Sequence, residues 1–378
     1  MTTSGTHRAI DAIWGIESAR LISSEVVPRR LAGQLLTTPR ARNASDVVRA
    51  LGAVQAQDYG GAKWALAQRT RGATDAGIER EFSEGAILRT HVLRPTWHFV
   101  VPRDIRWMLA LTAPRVRAAM AYYDRKLELD AGVLRRSNAA LTKALTGGEH
   151  LTRPELGTML ERAGVRITSG QRLGHLMLRA ELDAVVCSGP RRGKQFTYAL
   201  LEERVPRAAP LERDEALLQL TCRYFSTRGP ATGQDFAWWS GLTMSDVKRG
   251  LQIAGRKLKH ATLDGRDVWF TERTVPKASR SVHLLPNYDE YFIGYKDRSA
   301  IAQRLGTTQA ATGGNAFMAH VVFVNGQLVG GWKRAFQKKA VVVALDLVTR
   351  LTRAERARVA AEARRFGVFL GLQATLRG

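Results

Sequence analysis

Apolar residues recur with the period of an α-helix along most of the chain, and short strand-forming segments interrupt the helical stretches. Residues 151–200 show this arrangement most clearly. Thr152 is a predicted helix N-cap with Glu155 three residues later, and a second helix begins at Gly170. Two strand-forming stretches follow, joined by a basic turn at 188–194. The pattern predicts two helices and a β-hairpin in succession.

Two further blocks also consist of successive helices followed by a hairpin, although their sequences are not exact repeats. One block runs from about residue 22 to about 103, and the other from about 211 to about 275. The Asp264-Gly265 pair marks a tight hairpin turn in the latter. The predicted elements are helices at 27–36, 45–54, 62–69 and 76–84 with a hairpin at 87–100 in the first block, and helices at 212–228, 234–239 and 243–255 before the hairpin in the other.

Two helices, a turn, a third helix and a hairpin form the layout of a winged helix, a variant of the helix-turn-helix. We therefore predict a helix-rich α+β fold of three tandem winged-helix units. Asn325-Gly326 marks a further hairpin near the C-terminus, and 353–367 is a predicted helix. The segments are a leader at 1–20 (a loose stretch or a short extra helix), a first winged helix at 21–105, a helical connector at 106–145, a second winged helix at 146–208, a third at 209–275, and a C-terminal β/α region at 276–378 that packs on the others.

The chain carries 58 Lys and Arg residues against 34 Asp and Glu residues, a formal net charge of +24. Such a surface attracts polyanions, and nucleic acid is the usual one. We expect double-stranded DNA as the partner. An anionic membrane is the competing partner. However, the sequence has no basic amphipathic helix with a bulky apolar face, no lipidation signal and no apolar stretch of roughly 18 residues, so we expect no membrane association.

The basic turn at 188–194 would be the wing of the middle unit. Arg191, Arg192 and Lys194 lie at its tip and are predicted to contact DNA phosphates. The alternative is a solvated turn that happens to be basic.

The two cysteines, Cys187 and Cys222, have neither CxxC spacing nor a nearby histidine pair, so we expect no metal and no cofactor. Both are predicted to fill the core of a protein in a reducing cytoplasm. Residues 1–20 lack an apolar core followed by a cleavage site, so no secretory signal is predicted. The sequence shows no dimerising coiled coil, and we expect a cytoplasmic, nucleoid-associated monomer.

The usual catalytic motifs are missing from the sequence, which has no GxSxG, Walker loop, HExxH or GxGxxG after a strand. Its unusual polar cluster is Gln-Ala-Gln-Asp at 55–58, which two glycines follow at 60–61. On a helix, positions i and i+2 point about 200° apart, but in a turn or an extended segment they can face one ligand. The glycines favour a helix break, so we predict a turn that projects Gln55 and Gln57 to the same side. The alternative is an ordinary pair of surface glutamines.

Four segments resemble the AlkZ family of bacterial DNA glycosylases. The first is residues 51–69, which contain Gln-Ala-Gln, and the second is Arg-Pro-Thr-Trp-His-Phe-Val at 94–100. The third is Ala-Thr-Gly-Gln-Asp-Phe-Ala-Trp-Trp-Ser-Gly-Leu at 231–242. The fourth, at 284–298, begins Leu-Leu-Pro-Asn-Tyr-Asp-Glu. Together they cover most of residues 27–335.

The resemblance implies three tandem winged helices in a C shape that cradles duplex DNA. It also implies a catalytic Gln-aliphatic-Gln motif, which here is Gln55-Ala56-Gln57. A sister branch has Asp in place of the second glutamine, so this sequence is similar to the AlkZ side. Members near antibiotic gene clusters act on bulky natural-product adducts, which implies a role in self-resistance. The leader before Val27 and the residues 59–61 depart from the family and bear on substrate choice.

Glutamine cannot accept a proton at neutral pH, but it can hydrogen-bond a water molecule. Two amides that orient a water against C1′ suffice only if the leaving base is already activated. An N7-alkylated guanine is cationic and departs as a neutral base. We therefore predict a monofunctional DNA glycosylase for cationic N7- or N3-alkylated purines, with bulky adducts or crosslinks as further substrates. The alternatives are a transcription factor and a resistance protein that binds an adduct without cutting.

Asp58 is the competing candidate for a general base. The alternative, which we favour, is that it caps the following helix or pairs with Lys63. Trp238 and Trp239 are predicted to belong to the core of the third unit rather than to a stacking platform.

The hairpin at 87–100 supplies the other predicted DNA contacts, Arg94, Trp97 and His98. A bulky aromatic such as Trp97 can wedge between base steps and help to expose a lesion. The alternative is that Trp97 is a core residue and that His98 satisfies a backbone group.

Overall fold

The computed structural model describes residues 17–37, 41–272, 280–306 and 319–378. Within these ranges, no helix is long and apolar enough to cross a bilayer. The helices are α1 (Ser23–Gly33), α2 (Ala44–Leu51), α3 (Tyr59–Arg69), α4 (Asp75–Ser83), α5 (Pro102–Lys126), α6 (Ala131–Leu145), α7 (Arg153–Arg162), α8 (Gly170–Leu182), α9 (Leu201–Arg204), α10 (Arg213–Arg228), α11 (Gly233–Ser240), α12 (Met244–Ala254), α13 (Glu290–Ile293), α14 (Ser299–Ala302) and α15 (Arg353–Leu370).

The strands are short between the helices and longer near the C-terminus. They are β1 (Glu17–Ser18), β2 (Val54–Gln55), β3 (Leu88–His91), β4 (Trp97–Val100), β5 (Leu151–Thr152), β6 (Val186–Ser188), β7 (Thr197–Leu200), β8 (Lys259–Leu263), β9 (Arg266–Phe270), β10 (Val282–Leu285), β11 (His320–Val324), β12 (Gln327–Phe336), β13 (Ala340–Leu347) and β14 (Gln373–Arg377).

The described strands pair mainly as antiparallel hairpins. β3 pairs with β4, and β7 pairs with β6 on one side and β5 on the other. β8 and β9 form a third hairpin, which β1 extends by parallel pairing with β8. The last five strands form one sheet in the order β10-β11-β12-β13-β14, with the final pair parallel.

The chain divides into two compact units. The split unit is assembled from three segments, namely the described residues up to 78, residues 217–239 and residues 243–378. The inserted unit comprises residues 79–216 and the short stretch 240–242. Residues that lie far apart in sequence therefore share the core of the split unit.

The middle block of the predicted pattern folds as one series within the inserted unit. Helices α7 and α8 and strands β6 and β7 follow each other in the predicted order, whereas helix α6 comes from the predicted connector and strand β5 was not predicted. Thr152 and Glu155 form the predicted capping box, and α8 begins at Gly170 as predicted. The apolar faces meet in one core formed by Leu129, Leu141, Leu145, Leu156, Leu160, Val165, Leu173, Leu176, Met177, Ala180, Val186 and Tyr198.

The two Gly-containing turns predicted for the split unit are confirmed. Asp264 and Gly265 have φ angles of 50° and 74°, and Asn325 and Gly326 have φ angles of 53° and 75°. Two successive positive φ angles are the signature of a type I′ turn, which Asn and Gly tolerate better than other residues do. Thr243, the first residue of the helix predicted at 243–255, is the N-cap of α12 and forms a capping box with Asp246.

Helix α15 covers the C-terminal sheet with aromatic side chains. The Phe366 ring lies 5.0 Å from that of Trp64 and 5.3 Å from that of Trp332, measured between centroids. Both tryptophans are buried, and their indole N–H groups donate to the carbonyl oxygens of Leu284 and Leu285 at 2.7 and 2.8 Å. The sheet, α3 and α15 therefore share one core in which the polar edge of each tryptophan is satisfied.

Helix ends are where the apolar pattern predicts least well. The helix predicted at 27–36 is α1, which begins and ends about a turn earlier, at Ser23–Gly33. The helix predicted at 353–367 continues to Leu370 and ends where Gly371 adopts a φ of 67°. The apolar stripe identifies the buried face of a helix, whereas its end depends on the local backbone.

The tryptophans and cysteines divide between core and surface. Trp239 is fully buried as predicted, but Trp238 is 41% exposed, so its assignment to the core is wrong. The Trp238 indole N–H donates to a carbonyl oxygen and its ring remains partly at the surface. Cys187 is buried as predicted, whereas Cys222 is only partly buried.

The predicted leader is in part an ordered strand. Glu17–Ser18 pair in parallel with residues 259–260 of β8, and the Ala19 amide donates to the His260 carbonyl oxygen at 2.8 Å. The remainder of the leader, residues 1–16, lies outside the described residues.

Two histidines of the split unit predict a loss of stability in acid. Burial lowers the pKa of His283 to about 3, and burial together with the charge of Arg334 lowers the pKa of His320 to about 4. Because the unfolded chain binds these protons near pH 6.5, the stabilisation is complete above pH 6.5 and is lost as the pH falls towards 4. The expected loss is up to ~1.4 kcal/mol per pH unit for His283 and less for the partly exposed His320.

Urea denaturation between pH 7.5 and 4.5 measures this effect. The variant His283→Gln should show a shallower dependence of the unfolding free energy on pH than the wild type. Identical slopes for the two proteins would contradict the assignment to His283.

Candidate active site

The two glutamines follow helix α2 in a short extended segment. The helix predicted at 45–54 is too long, because α2 ends at Leu51 and Gly52 turns the chain with a φ of 83°. Gln55 then lies in β2 and is 8% exposed, whereas Gln57 is exposed just before α3 begins. The prediction that both glutamines lie outside the helices is confirmed, but a strand and a bend replace the predicted turn.

A buried carboxylate fixes the backbone of this segment. Glu290 has no exposed surface, and its Oε1 accepts a hydrogen bond from the Gln55 amide at 2.9 Å. Its Oε2 accepts from the Trp239 indole at 2.8 Å and from the Arg228 guanidinium. Arg228 also donates to the Leu51 carbonyl oxygen at 3.0 Å. The clamp formed by Glu290, Arg228 and Trp239 therefore holds the segment from both of its ends.

The acid next to Glu290 makes an equivalent buried pair. Asp289 accepts two hydrogen bonds of 2.8 Å from the Arg69 guanidinium, and both side chains are almost fully buried. Two consecutive carboxylates thus each bind an arginine from a different helix. Bidentate pairing of this kind fixes orientation as well as charge.

Asp58, the competing candidate for a base, is occupied by two structural contacts. Its carboxylate caps α3 by accepting the Gly61 amide at 3.0 Å, as predicted. Its other oxygen pairs with Arg334 of β12 at 2.9 Å. The predicted partner Lys63 instead pairs with Asp75 at 2.9 Å. The only carboxylate of the Gln-Ala-Gln-Asp sequence is therefore held by a helix end and a cation.

Two further side chains near Asp58 are uncharged at neutral pH. Burial and the Asp58 charge raise the pKa of Tyr288, and burial and Arg334 lower the pKa of His320 to about 4. The His320 Nδ1 accepts the Asn287 amide at 2.8 Å, which requires an unprotonated nitrogen. Amides, a phenol and a neutral imidazole can orient a water molecule but offer no free charge.

The tip of the hairpin in the inserted unit is less available than the sequence indicates. Arg191 pairs with Glu79 at 3.4 Å, and Arg192 pairs with Glu155 at 2.7 Å. Lys194 is exposed, and no carboxylate lies within 4 Å of its amine in the part of the chain that the structure describes. Of the three predicted phosphate contacts, Lys194 alone has no such partner there.

The hairpin β3–β4 places its predicted DNA contacts in different environments. His98 has no exposed surface and its Nδ1 lies 2.8 Å from a backbone carbonyl oxygen, which favours the alternative of a satisfied backbone group over a DNA contact. Trp97 is partly buried, with the Arg89 guanidinium 4.2 Å from its ring and the His91 ring at 4.5 Å. Its packing is that of a fixed ring rather than a free wedge. Arg94 is partly buried in the turn and stays a predicted contact.

Sequence reasoning missed the buried charges that surround these segments. Arg228 ends a helix and Glu290 lies in the 284–298 segment, but nothing local indicates that they meet. The sole signal is chemical, since an acid inside an apolar stretch such as Tyr-Asp-Glu-Tyr-Phe-Ile needs a buried partner. Arg89 and Arg153, which line a recess in the inserted unit, were likewise not singled out.

Comparison with known proteins agrees on one family. A family model described as DNA glycosylase AlkZ-like matches residues 48–369. An interstrand DNA cross-link repair glycosylase from Streptomyces sahachiroi is 26% identical over 334 residues, covering 84% of this chain and 89% of that protein. The solved structure of Streptomyces sahachiroi DNA glycosylase AlkZ has a TM-score of 0.78 at 22% identity and covers 95% of this chain and 100% of that one. The fold is therefore shared with that structure.

Proposed function

Because this chain belongs to the AlkZ-like family of DNA glycosylases, we propose that it excises cationic N7- or N3-alkylated purines from duplex DNA. As a member of this family the chain is an enzyme that cleaves N-glycosidic bonds. We therefore no longer consider the two non-enzymatic alternatives, a transcription factor and a resistance protein that only binds an adduct. The substrate class and the residues that act on it are inferred from the candidate site.

The main observation behind the proposal is that both carboxylate oxygens of Asp58 make structural contacts. A glycosylase that acts on neutral bases needs a carboxylate to activate water or stabilise the oxocarbenium-like transition state. Asp58 already caps α3 and pairs with Arg334, so it is poorly placed to accept a proton. A site without a free base is suited to bases that carry their own positive charge, because these depart without protonation.

Gln55 and Gln57 hold the attacking water in this proposal. The Glu290 clamp anchors the Gln55 amide, which gives the segment a defined backbone from which both side chains extend. Gln55 ends β2 and Gln57 lies in the bend that follows, so the two side chains are only two residues apart, and in this proposal their amides converge on one water. Their contribution is orientation of the nucleophile rather than proton transfer.

Bulky adducts and crosslinks are proposed as further substrates. The Streptomyces sahachiroi relative is named as an interstrand cross-link repair glycosylase, and Gln57 of this chain is exposed rather than enclosed in a deep cavity. A water held at the surface does not require the modified base to enter a narrow pocket. A large substituent on the purine would therefore be tolerated, as a role in self-resistance to a DNA-alkylating product requires.

We propose that the protein binds duplex DNA as a monomer. Three tandem winged-helix units would form a clamp around the duplex. The net charge of +24 supports a polyanionic partner, and the helix order and hairpin of the middle block support the winged-helix assignment. Lys194 and Arg94 are the proposed phosphate contacts, and such a protein would work in the cytoplasm at the nucleoid.

A substrate panel tests this function. Duplexes that carry one N7-methylguanine, one bulky N7-adduct or one uracil are incubated with excess protein, and released base is quantified by mass spectrometry. We expect the cationic bases to be released at least ~100-fold faster than uracil. A neutral base such as uracil departs slowly unless a general acid assists it, and the proposed site supplies none. Comparable uracil release, or no release from either cationic substrate, would overturn the proposal.

A further inference from the structure

The inserted unit contains a recess that the glutamine site does not use. Its volume is about 440 Å³, within the range of pockets that hold small ligands. Strand β3, the N-terminal end of α7 and the hairpin β6–β7 contribute its walls. Three cations line it, namely Arg89, Arg153 and Lys194, together with the aromatic rings of Trp97, Phe196 and Tyr198.

Arg89 is held rigidly at this recess. It is 9% exposed, and its guanidinium carbon lies 4.2 Å from the Trp97 ring centroid and 4.6 Å from that of Phe196. Contacts with two rings restrict the orientation of a guanidinium. Arg89 therefore brings a positionally restricted cation to the wall of the recess, and a guanidinium is a group that recognises oxyanions.

Arg153 and Lys194 extend this charge towards solvent. Arg153 lies at the start of α7 and donates to the Tyr198 hydroxyl at 3.0 Å, and its guanidinium carbon lies 5.6 Å from the Trp97 ring. Among the described residues, neither Arg153 nor Lys194 has a carboxylate within 4 Å. Both therefore keep their charge available for a ligand.

The acids near the recess are occupied elsewhere. Glu181 lines it but is 1% exposed, and its Oε2 contacts the His91 Nδ1 and accepts the His91 amide at 2.8 Å. Glu155 is bound by the Thr152 amide and by Arg192, and these hydrogen bonds lower its pKa to about 2. One buried carboxylate thus faces three cations, so the recess is a net cationic site.

We propose that this recess binds the phosphate of a single DNA nucleotide, with Arg89, Arg153 and Lys194 as its ligands. The charges select an oxyanion, and the volume exceeds that of a bare phosphate, which leaves room for more of the same nucleotide. This extends the proposed function, since the occupant belongs to the DNA substrate. Its failure would leave the role of Gln55 and Gln57 unaffected.

Calorimetric titration with 5′-deoxyguanosine monophosphate tests the site. The variant Arg153→Met/Lys194→Met removes two of the three cations, whereas Arg125→Met/Lys126→Met removes the same charge from an exposed part of the same unit. We expect at least ~10-fold weaker binding for the first variant and unchanged binding for the second. Thermal melting of both variants checks that they fold.

The unphosphorylated nucleoside and inorganic phosphate complete the test. Deoxyguanosine should bind at least ~10-fold more weakly than its monophosphate, and inorganic phosphate should displace the monophosphate, because the oxyanion supplies the recognition. Equal affinity for the nucleoside and the nucleotide would overturn the proposal. An equal loss of affinity in the recess variant and the control variant would also overturn it, because only the overall positive charge would then matter.

A base-release assay separates this proposal from that of the glutamines. With N7-methylguanine duplex, Arg153→Met/Lys194→Met should raise the protein concentration needed for half-maximal rate several-fold, whereas Arg125→Met/Lys126→Met should leave that concentration unchanged. An unchanged half-maximal concentration would exclude a role of the recess in DNA binding. Absence of release by the wild type would instead count against the glycosylase mechanism and leave the nucleotide titrations valid.

Discussion

A variant with Gln55→Ala and Gln57→Ala is expected to release N7-methylguanine at least ~100-fold more slowly than the wild type, because the attacking water would lose both of the groups that we propose to orient it. The fold should be preserved. Gln57 is exposed, and the hydrogen bond from residue 55 to Glu290 comes from the backbone amide, which alanine retains. The measurement is the single-turnover rate of base release at saturating protein, with melting temperature as the check on folding.

Matched variants make this result specific. Gln373→Ala removes an exposed glutamine from β14 and should leave the rate within about twofold, since that side chain lies on the C-terminal sheet. Gln57→Glu should keep more activity than Gln57→Ala, because a carboxylate also accepts a hydrogen bond from water. A double alanine variant that retains more than about a tenth of the wild-type rate would show that other groups hold the water.

The variant Glu290→Ala is expected to lower the free energy of unfolding by ~3–5 kcal/mol, the usual cost of breaking a buried ion pair by removing one partner. This substitution removes the carboxylate that accepts hydrogen bonds from the Arg228 guanidinium, the Trp239 indole and the Gln55 amide. Urea denaturation measures the loss. The surface pair Asp46–Arg49 is the control. Loss of that ion pair in Asp46→Ala should lower the free energy of unfolding by no more than ~1 kcal/mol.

A compensated variant separates stability from positioning. Glu290→Leu/Arg228→Met replaces the pair with apolar side chains and should regain much of the stability lost in Glu290→Ala. Base release should nevertheless stay at least ~10-fold below wild type, because the Gln55 amide still lacks its anchor and misplacement of a water-binding group is costly. Full activity in this variant would show that the clamp stabilises the fold without positioning the glutamines.

Features set by neighbouring residues could be predicted from the sequence. The capping box of Thr152 and Glu155 and the Asn325-Gly326 turn depend on two to four consecutive residues, so their chemistry is visible in the chain itself. The same holds for the cap that Asp58 makes on α3. Helix and hairpin order followed from such local signals.

Pairings between distant residues could not be predicted in this way. Asp58 has a lysine five residues along the chain, yet it pairs with Arg334, and Lys63 pairs with Asp75. Arg191 was predicted to contact a phosphate, but in the structure it pairs with Glu79. Charge partners are chosen by the tertiary fold, so composition gives the sign of a surface but not which of its cations remain available.

The division of the chain into a split and an inserted unit has a consequence for synthesis. Gln55 and Glu290 are 235 residues apart, so at ~5–20 residues per second the glutamine segment leaves the ribosome roughly 10–50 s before its anchor exists. The inserted unit has local contacts and can fold during that interval, whereas the split unit must close long loops at the end. A nascent chain therefore carries the two glutamines without the clamp, and we expect base excision to begin only when translation is nearly complete.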